Sequence, residues 1–163
     1  MRACYLAPVL SLRPIHSLIS RSWFWLIGLC LLASLPLRAQ TPKLLWTADL
    51  GHRIQSSPAL GLDGTIYIGT DDGFIHALKP DGTIAWTSRS EAAVVSTPAV
   101  DAQGNVYFGS MDKLFYAVNP DGRGKWFTSM RAEIASSAAI SVEGDCIIAT
   151  TQGVIIGLNA SGN

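Results

Sequence analysis

The side chains in this sequence that are able to do chemistry are an acidic pair, two histidines, a series of hydroxyls and one thiol. Asp71-Asp72-Gly73 has the opening of a calcium loop. It lacks the further spaced carboxylates that a calcium ion needs, so it reads as a hairpin turn. His52 and His76 have no cysteine or carboxylate at metal-ligand spacing and read as polar strand or loop residues. Ser56-Ser57, Ser96-Thr97 and Ser136-Ser137 recur every 40 residues. Nucleophilic catalysis needs one activated serine beside a base, so this recurrence points to hydroxyls that satisfy backbone groups near a central channel. Cys146 takes the place held by Ile66 and Val106 and reads as a small buried hydrophobe. No catalytic, cofactor-binding or metal-ligating constellation emerges, and the sequence predicts a protein that is not an enzyme.

The recurrence that removes the serines from consideration is the main organising feature of the chain. Residues 43–82, 83–122 and 123–162 align without a gap. Trp46, Trp86 and Trp126 fall in step, as do Gly64, Gly104 and Gly144, and Gly82 and Gly122. A fixed period of this length marks a unit that cannot bury its own apolar face and stacks on its neighbours.

Within the second unit the runs Ser96–Val100, Asn105–Ser110, Leu114–Asn119 and Arg123–Thr128 are rich in the Val, Ile, Tyr and Phe that strands favour. Asp63-Gly64, Gln103-Gly104, Asp72-Gly73 and Pro80-Asp81-Gly82 separate such runs, and Asp-Gly pairs suit hairpins in which both central residues take positive φ. Ile66–Ile68, Phe74–Leu78 and Val154–Leu158 are apolar without alternation. A sheet with one wet face would alternate, so these runs predict sheets covered on both faces. The fold class is all-β, in four-stranded antiparallel blades of a β-propeller.

Ala77-Leu78-Lys79-Pro80-Asp81-Gly82-Thr83-Ile84-Ala85-Trp86 resembles the A-L-x-x-x-x-G-x-x-x-W signature of pyrroloquinoline-quinone-type (PQQ-like) propeller repeats, and Ala117 to Trp126 repeats it. Ser57-Pro58-Ala59 and Thr97-Pro98-Ala99 extend the likeness upstream. The resemblance covers residues 43–162, and the family it indicates includes outer-membrane assembly factors, dehydrogenases and sensor domains. It implies that each Trp packs on a Gly and an Ala, pairing Trp86 with Ala77 and Gly82, and Trp126 with Ala117 and Gly122. The third unit departs from the pattern, with Gly157 for the Ala, Ala138 for the Pro and Ala149 for a strand Gly. A quinone dehydrogenase of this family would need a calcium site, a catalytic Asp and a tryptophan floor. None can be assigned, so no PQQ is expected.

Residues 1–39 read as a secretory signal peptide. Arg2, Arg13 and Arg21 precede the uncharged run Ser22–Leu37, and Ala39 offers a small residue at the cut. That run is shorter than the roughly 20 residues of a membrane span. If retained, it would instead anchor an extracytoplasmic sensor. Cys30 follows Leu29, which is too large for a lipidation site. Four of the 12 basic residues and none of the 12 acidic ones precede Gln40, which leaves 8 against 12, a net charge of −4. No basic stripe is present to hold nucleic acid. Cys146 is then alone, which suits a bacterial periplasm better than a disulfide-rich exterior. The expected product, residues 40–163, is a periplasmic or secreted scaffold with a protein partner in the cell envelope.

The units do not make a closed ring. The third supplies three strands, and Lys43–Thr47 is a spare Trp strand of the kind that completes the last blade in this family. Closed propellers have about 4–8 blades. The sequence is therefore expected to be the opening part of a longer propeller, or else to self-associate through its open blade edges.

Overall fold

The computed structural model describes residues 42–163, so the expected leader lies outside the described residues. Eleven strands follow in order: β1 (Ala59–Leu60), β2 (Ile66–Gly69), β3 (Phe74–Leu78), β4 (Ile84–Arg89), β5 (Ala99–Val100), β6 (Val106–Gly109), β7 (Leu114–Val118), β8 (Gly124–Ser129), β9 (Ala139–Ile140), β10 (Cys146–Ala149) and β11 (Ile155–Leu158). They form three antiparallel meanders, β1-β2-β3-β4, β5-β6-β7-β8 and β9-β10-β11. The all-β blades predicted from the repeat are present, with the third one strand short. No helix among the described residues is long and apolar enough to cross a membrane.

Alternate residues of a strand point to opposite faces, and the middle blade uses both faces for core. Val106, Phe108 and Val118 pack with Tyr67, Ile75, Ala77 and Val94 on the side of the first blade. Tyr107, Phe115 and Ala117 pack with Ile134, Cys146, Ile148 and Leu158 on the side of the third. Every residue of β6 is buried, and in β3, one of the unbroken apolar runs, all but Phe74 are. The run Val154–Leu158 corrects that rule. Val154 is 52% and Ile155 74% exposed, because no blade lies beyond them among the described residues.

The hairpin turns also differ from the expected type. Gly64 and Gly82 take φ of +84° and +86°, but the aspartate before each does not. Each Asp instead uses its carboxylate to accept from the backbone N–H two residues on, at 3.0 Å for Asp63–Thr65 and 2.9 Å for Asp81–Thr83. These are turns closed by a left-handed glycine, with the Asp acting as a side-chain cap.

The tryptophans join blade to blade, with one correction to the expected pairing. Ala77 lies opposite Trp86 and Ala117 opposite Trp126 in the sheet register, as expected. The glycine under each ring belongs to the same 40-residue unit as its Trp, thirty-six residues on, and so to the following blade. A Cβ on Gly82 would come 2.7 Å from the Trp46 ring, on Gly122 2.6 Å from Trp86, and on Gly162 2.6 Å from Trp126. Each indole Nε1–H donates to a carbonyl of the same turn, Pro80 at 2.8 Å, Pro120 at 2.8 Å and Ala160 at 3.2 Å. The outermost strand of a blade leans on the next blade, so its Trp reaches forward. Lys43–Thr47 forms no strand, since no sheet edge lies beside it, yet Trp46 still occupies this forward position.

Candidate functional site

The meander places its turns at two ends, and the acidic residues behave differently at each. At the end holding the β1–β2 and β3–β4 turns, carboxylates are engaged in local structure. Asp101 accepts from the backbone N–H groups of Gln103 and Asn105, the Asn105 amide and, at 2.9 Å, the Tyr107 hydroxyl. Burial works to raise its pKa, but these hydrogen bonds prevail and hold it below the usual value.

The opposite end carries the β2–β3 turns and the connectors between blades. Backbone bonds of one repeated type dock each connector on its turn: Asp71 N–H to Arg53 O, Met111 N–H to Ala93 O and Thr151 N–H to Glu133 O, at 2.9–3.0 Å. The connector of the first blade brings His52, Arg53 and Gln55 over Asp71 and Asp72. His52 Nε2 lies 3.2 Å from Asp72 Oδ2. Gln55 Nε2 donates to both oxygens of Asp71, at 3.0 and 2.9 Å, and Arg53 Nε stands 3.9 Å from the same carboxylate. His76, on β3, points up from below, with Nε2 3.1 Å from Thr70 Oγ1.

Comparison with the second blade shows what is unusual here. Tyr116 takes the place of His76, and its hydroxyl donates to Asp112 at 2.7 Å. The backbone N–H groups of Leu114 and Glu91 complete the shell of Asp112. Burial, and then Asp112 itself, push the Tyr116 pKa up. In the first blade the shorter imidazole leaves Asp72 Oδ1 and His76 Nδ1 buried without a partner. Burial lowers the His76 pKa, against an opposing pull from Asp72. In the third blade Gln152 and Ile156 hold these two positions, so the device is lost there.

His52 lies in a connector and His76 on β3, the loop and strand positions expected, and His52 in addition pairs with Asp72. Asp71-Asp72-Gly73 is the hairpin turn expected, with Gly73 at φ +89° and its N–H on Thr70 O. Among the described residues no three His, Cys, Asp or Glu side chains are grouped to hold a metal ion. The repeating serines bind backbone as expected. Ser56 and Ser96 each donate to and accept from Gly69 and Gly109, at 2.8–2.9 Å, and Ser136 does the same with Ala149. Cys146 is buried, and desolvation pushes its thiol up to about 11, so it is no nucleophile at neutral pH. What this end presents is a surface of mixed charge, on which His52 and Arg53 stand beside Asp71 and Asp72.

The family model for outer membrane protein assembly factor BamB matches residues 37–163. The chain belongs to this family of PQQ-like propeller repeats. Solved BamB-type and related propellers share the fold. BamB from Moraxella catarrhalis aligns at 22% identity and a TM-score of 0.58, over 68% of this chain and 34% of that one. Quinohemoprotein alcohol dehydrogenase from Comamonas testosteroni aligns at 19% identity and a TM-score of 0.64, over 74% and 22%. The WD40 β-propeller domain of Doa1 aligns at 19% and 0.56, over 62% and 35%. The chain thus spans about a third or less of each of these structures. No curated protein sequence matches it. Among the described residues Trp46, Trp86 and Trp126 each lay one indole face on the glycine of a turn.

Proposed function

We propose that this chain is a non-enzymatic propeller scaffold of the bacterial cell envelope, exported with cleavage near Ala39, that holds a protein partner against its β2–β3 end. The observation that carries this reading is the match of residues 37–163 to the BamB assembly-factor family. The end itself supports it, because loops held on rigid sheets are where binding usually resides. His52, Arg53, Asp71, Asp72 and Glu91 offer donors and acceptors of both signs there, without a nucleophile. The partner recognised would be a polypeptide of mixed charge, and nucleic acid would be repelled by the net negative chain.

The test is recovery from envelope extract with the full chain as bait. A specific partner is expected, and its recovery should fall when Arg53 and Asp72 are replaced by alanine. Recovery of none, or recovery indifferent to both replacements, would refute the proposal. N-terminal sequencing of the exported protein would start at Gln40 or close to it. An intact Ser22–Leu37 would favour an anchored sensor instead.

The fold shared with quinohemoprotein alcohol dehydrogenases supports a second reading, as part of a quinone enzyme. Titration with PQQ and calcium separates the two. We expect no spectral change, and micromolar binding would overturn the scaffold reading.

A further inference from the structure

The first two blades differ in one contact beneath their β1–β2 and β5–β6 turns. In the second blade the Tyr107 hydroxyl donates to Asp101 Oδ2 at 2.9 Å. Tyr67 is the repeat counterpart of Tyr107, and Gly61 stands where Asp101 would. The Tyr67 hydroxyl therefore has no carboxylate to donate to, although the residue is only 3% exposed. Asp63 leans into the room left at position 61, where a Cβ on Gly61 would come 2.9 Å from Asp63 Oδ1. Its carboxylate accepts from the Thr65 N–H at 3.0 Å and from Thr65 Oγ1 at 2.9 Å. A carboxylate has about four acceptor positions, so half of its capacity is free.

These groups face a cavity of about 460 Å3 between the two blades, at the end opposite the β2–β3 turns. Small-molecule sites have volumes of about 300–1,000 Å3. Asp63, Tyr67, Lys79 and Trp86 line it from the first blade, and Asp101 and Gln103 from the second. Tyr67 and Trp86 supply aromatic surface, with ring centroids 5.7 Å apart, and Leu62, 90% exposed, an apolar rim.

Charge and hydrogen bonding select the ligand class. Asp63 and Asp101 against Lys79 give the walls a net charge of −1, which disfavours phosphates and carboxylates. Asp101 already accepts four hydrogen bonds, so it has nothing left for a cation. Tyr67 has a proton to give and Asp63 has lone pairs to fill, and a hydroxyl accepts and donates at one atom. Lys79 is in no ion pair among the described residues, and the Gln103 amide makes no hydrogen bond there, so both can hold further hydroxyls. Several hydroxyls on one side and C–H groups on the other describe a sugar ring.

We propose that this cavity binds a neutral saccharide, one hydroxyl of which accepts from Tyr67 and donates to Asp63. Burial, and then Asp63, raise the Tyr67 pKa, which agrees with the two groups standing close. The site is not repeated between the second and third blades, where the Tyr107 hydroxyl is already engaged and Asn119 replaces Lys79. It stands apart from the protein partner proposed for the opposite end.

The test applies the full chain to an array of neutral mono- to trisaccharides, with sialylated and phosphorylated sugars as anionic comparisons. Calorimetric titration of the best binder follows. We expect a neutral saccharide to bind with a Kd below about 1 mM. Tyr67→Phe removes one oxygen, so it should weaken binding about two- to tenfold and leave the urea midpoint unchanged. Lys79→Ala, at an exposed position, should weaken it about tenfold or more. Tyr116→Phe, at the opposite end, should lower the midpoint through its lost bond to Asp112 and leave binding as it was. No neutral saccharide bound at about 10 mM would overturn the proposal. Tighter binding of the anionic sugars, or full affinity in either Tyr67→Phe or Lys79→Ala, would do the same.

Discussion

Replacing Gly122 by alanine probes the forward reach of the tryptophans. Gly122 has φ +84°, and a Cβ there would lie 2.6 Å from Trp86 Cδ2. An alanine in the left-handed region costs about 1–2 kcal/mol. Forcing the indole aside adds an overpacking cost of about 1–3 kcal/mol. The Trp86 Nε1–H bond to Pro120 O, now 2.8 Å, would be lost or stretched, for about another 1 kcal/mol. The sum is about 3–6 kcal/mol, a large share of the roughly 5–15 kcal/mol by which domains are stable. Gly51 supplies the control. It has φ +75° with nothing within 4 Å of an added Cβ, so Gly51→Ala carries the backbone cost alone, about 1–2 kcal/mol. Urea unfolding followed by far-UV circular dichroism measures both, since indole fluorescence would itself be disturbed. At a slope of about 2 kcal/mol per molar, Gly122→Ala should lower the midpoint by about 1.5–3 M. A double-mutant cycle then identifies the ring involved. Coupling is expected between Gly122→Ala and Trp86→Ala, and none with Trp126→Ala. Equal effects at Gly51 and Gly122, or coupling to Trp126, would refute the forward packing.

Other outcomes follow from the same structure. His76 has its pKa lowered by burial, so the unfolded chain binds a proton more readily. Stability should be full above the ordinary histidine value of about 6.5 and fall as pH drops below it, until the native His76 itself titrates. His76→Tyr, which installs the second blade's solution, should give Asp72 a hydroxyl partner and remove that slope in a pH series of urea midpoints. Lys113 takes φ 72°, where the first and third blades have Gly73 and Gly153, so Lys113→Gly should raise stability by up to about 1 kcal/mol. Cys146, buried and with its thiol near 11, should resist alkylation at pH 8 until denaturant is added, and rapid labelling of native protein would contradict that burial.

The blades were legible because a 40-residue period and unbroken apolar runs leave few other ways to bury a strand on both faces. The glycine beneath each tryptophan was not. Trp86 has Gly82 four residues before it and Gly122 thirty-six after, and in a repeat of 40 these are one and the same repeat position. Only the lean of an outer strand onto the next blade decides between them. The cluster around Asp72 was hidden for the opposite reason. Ala92 and Tyr116 stand where His52 and His76 do, so the periodic signal erases the histidines. Asp72 and His76 share one hairpin, which was a usable hint. The approach of His52 depends on a connector that docks on a turn 18 residues further on, as Arg53 O on Asp71 N–H shows.

The central functional claim is that a protein partner is held at the β2–β3 end, and photo-crosslinking in living cells tests it most directly. A photoreactive residue would replace Arg53, Lys113 or Gln152 at that end, and Lys79 or Ser161 at the opposite end. All five positions are exposed. The expected result is one envelope protein crosslinked from the first group and not from the second. Crosslinks from both ends alike, or from neither, would contradict the claim.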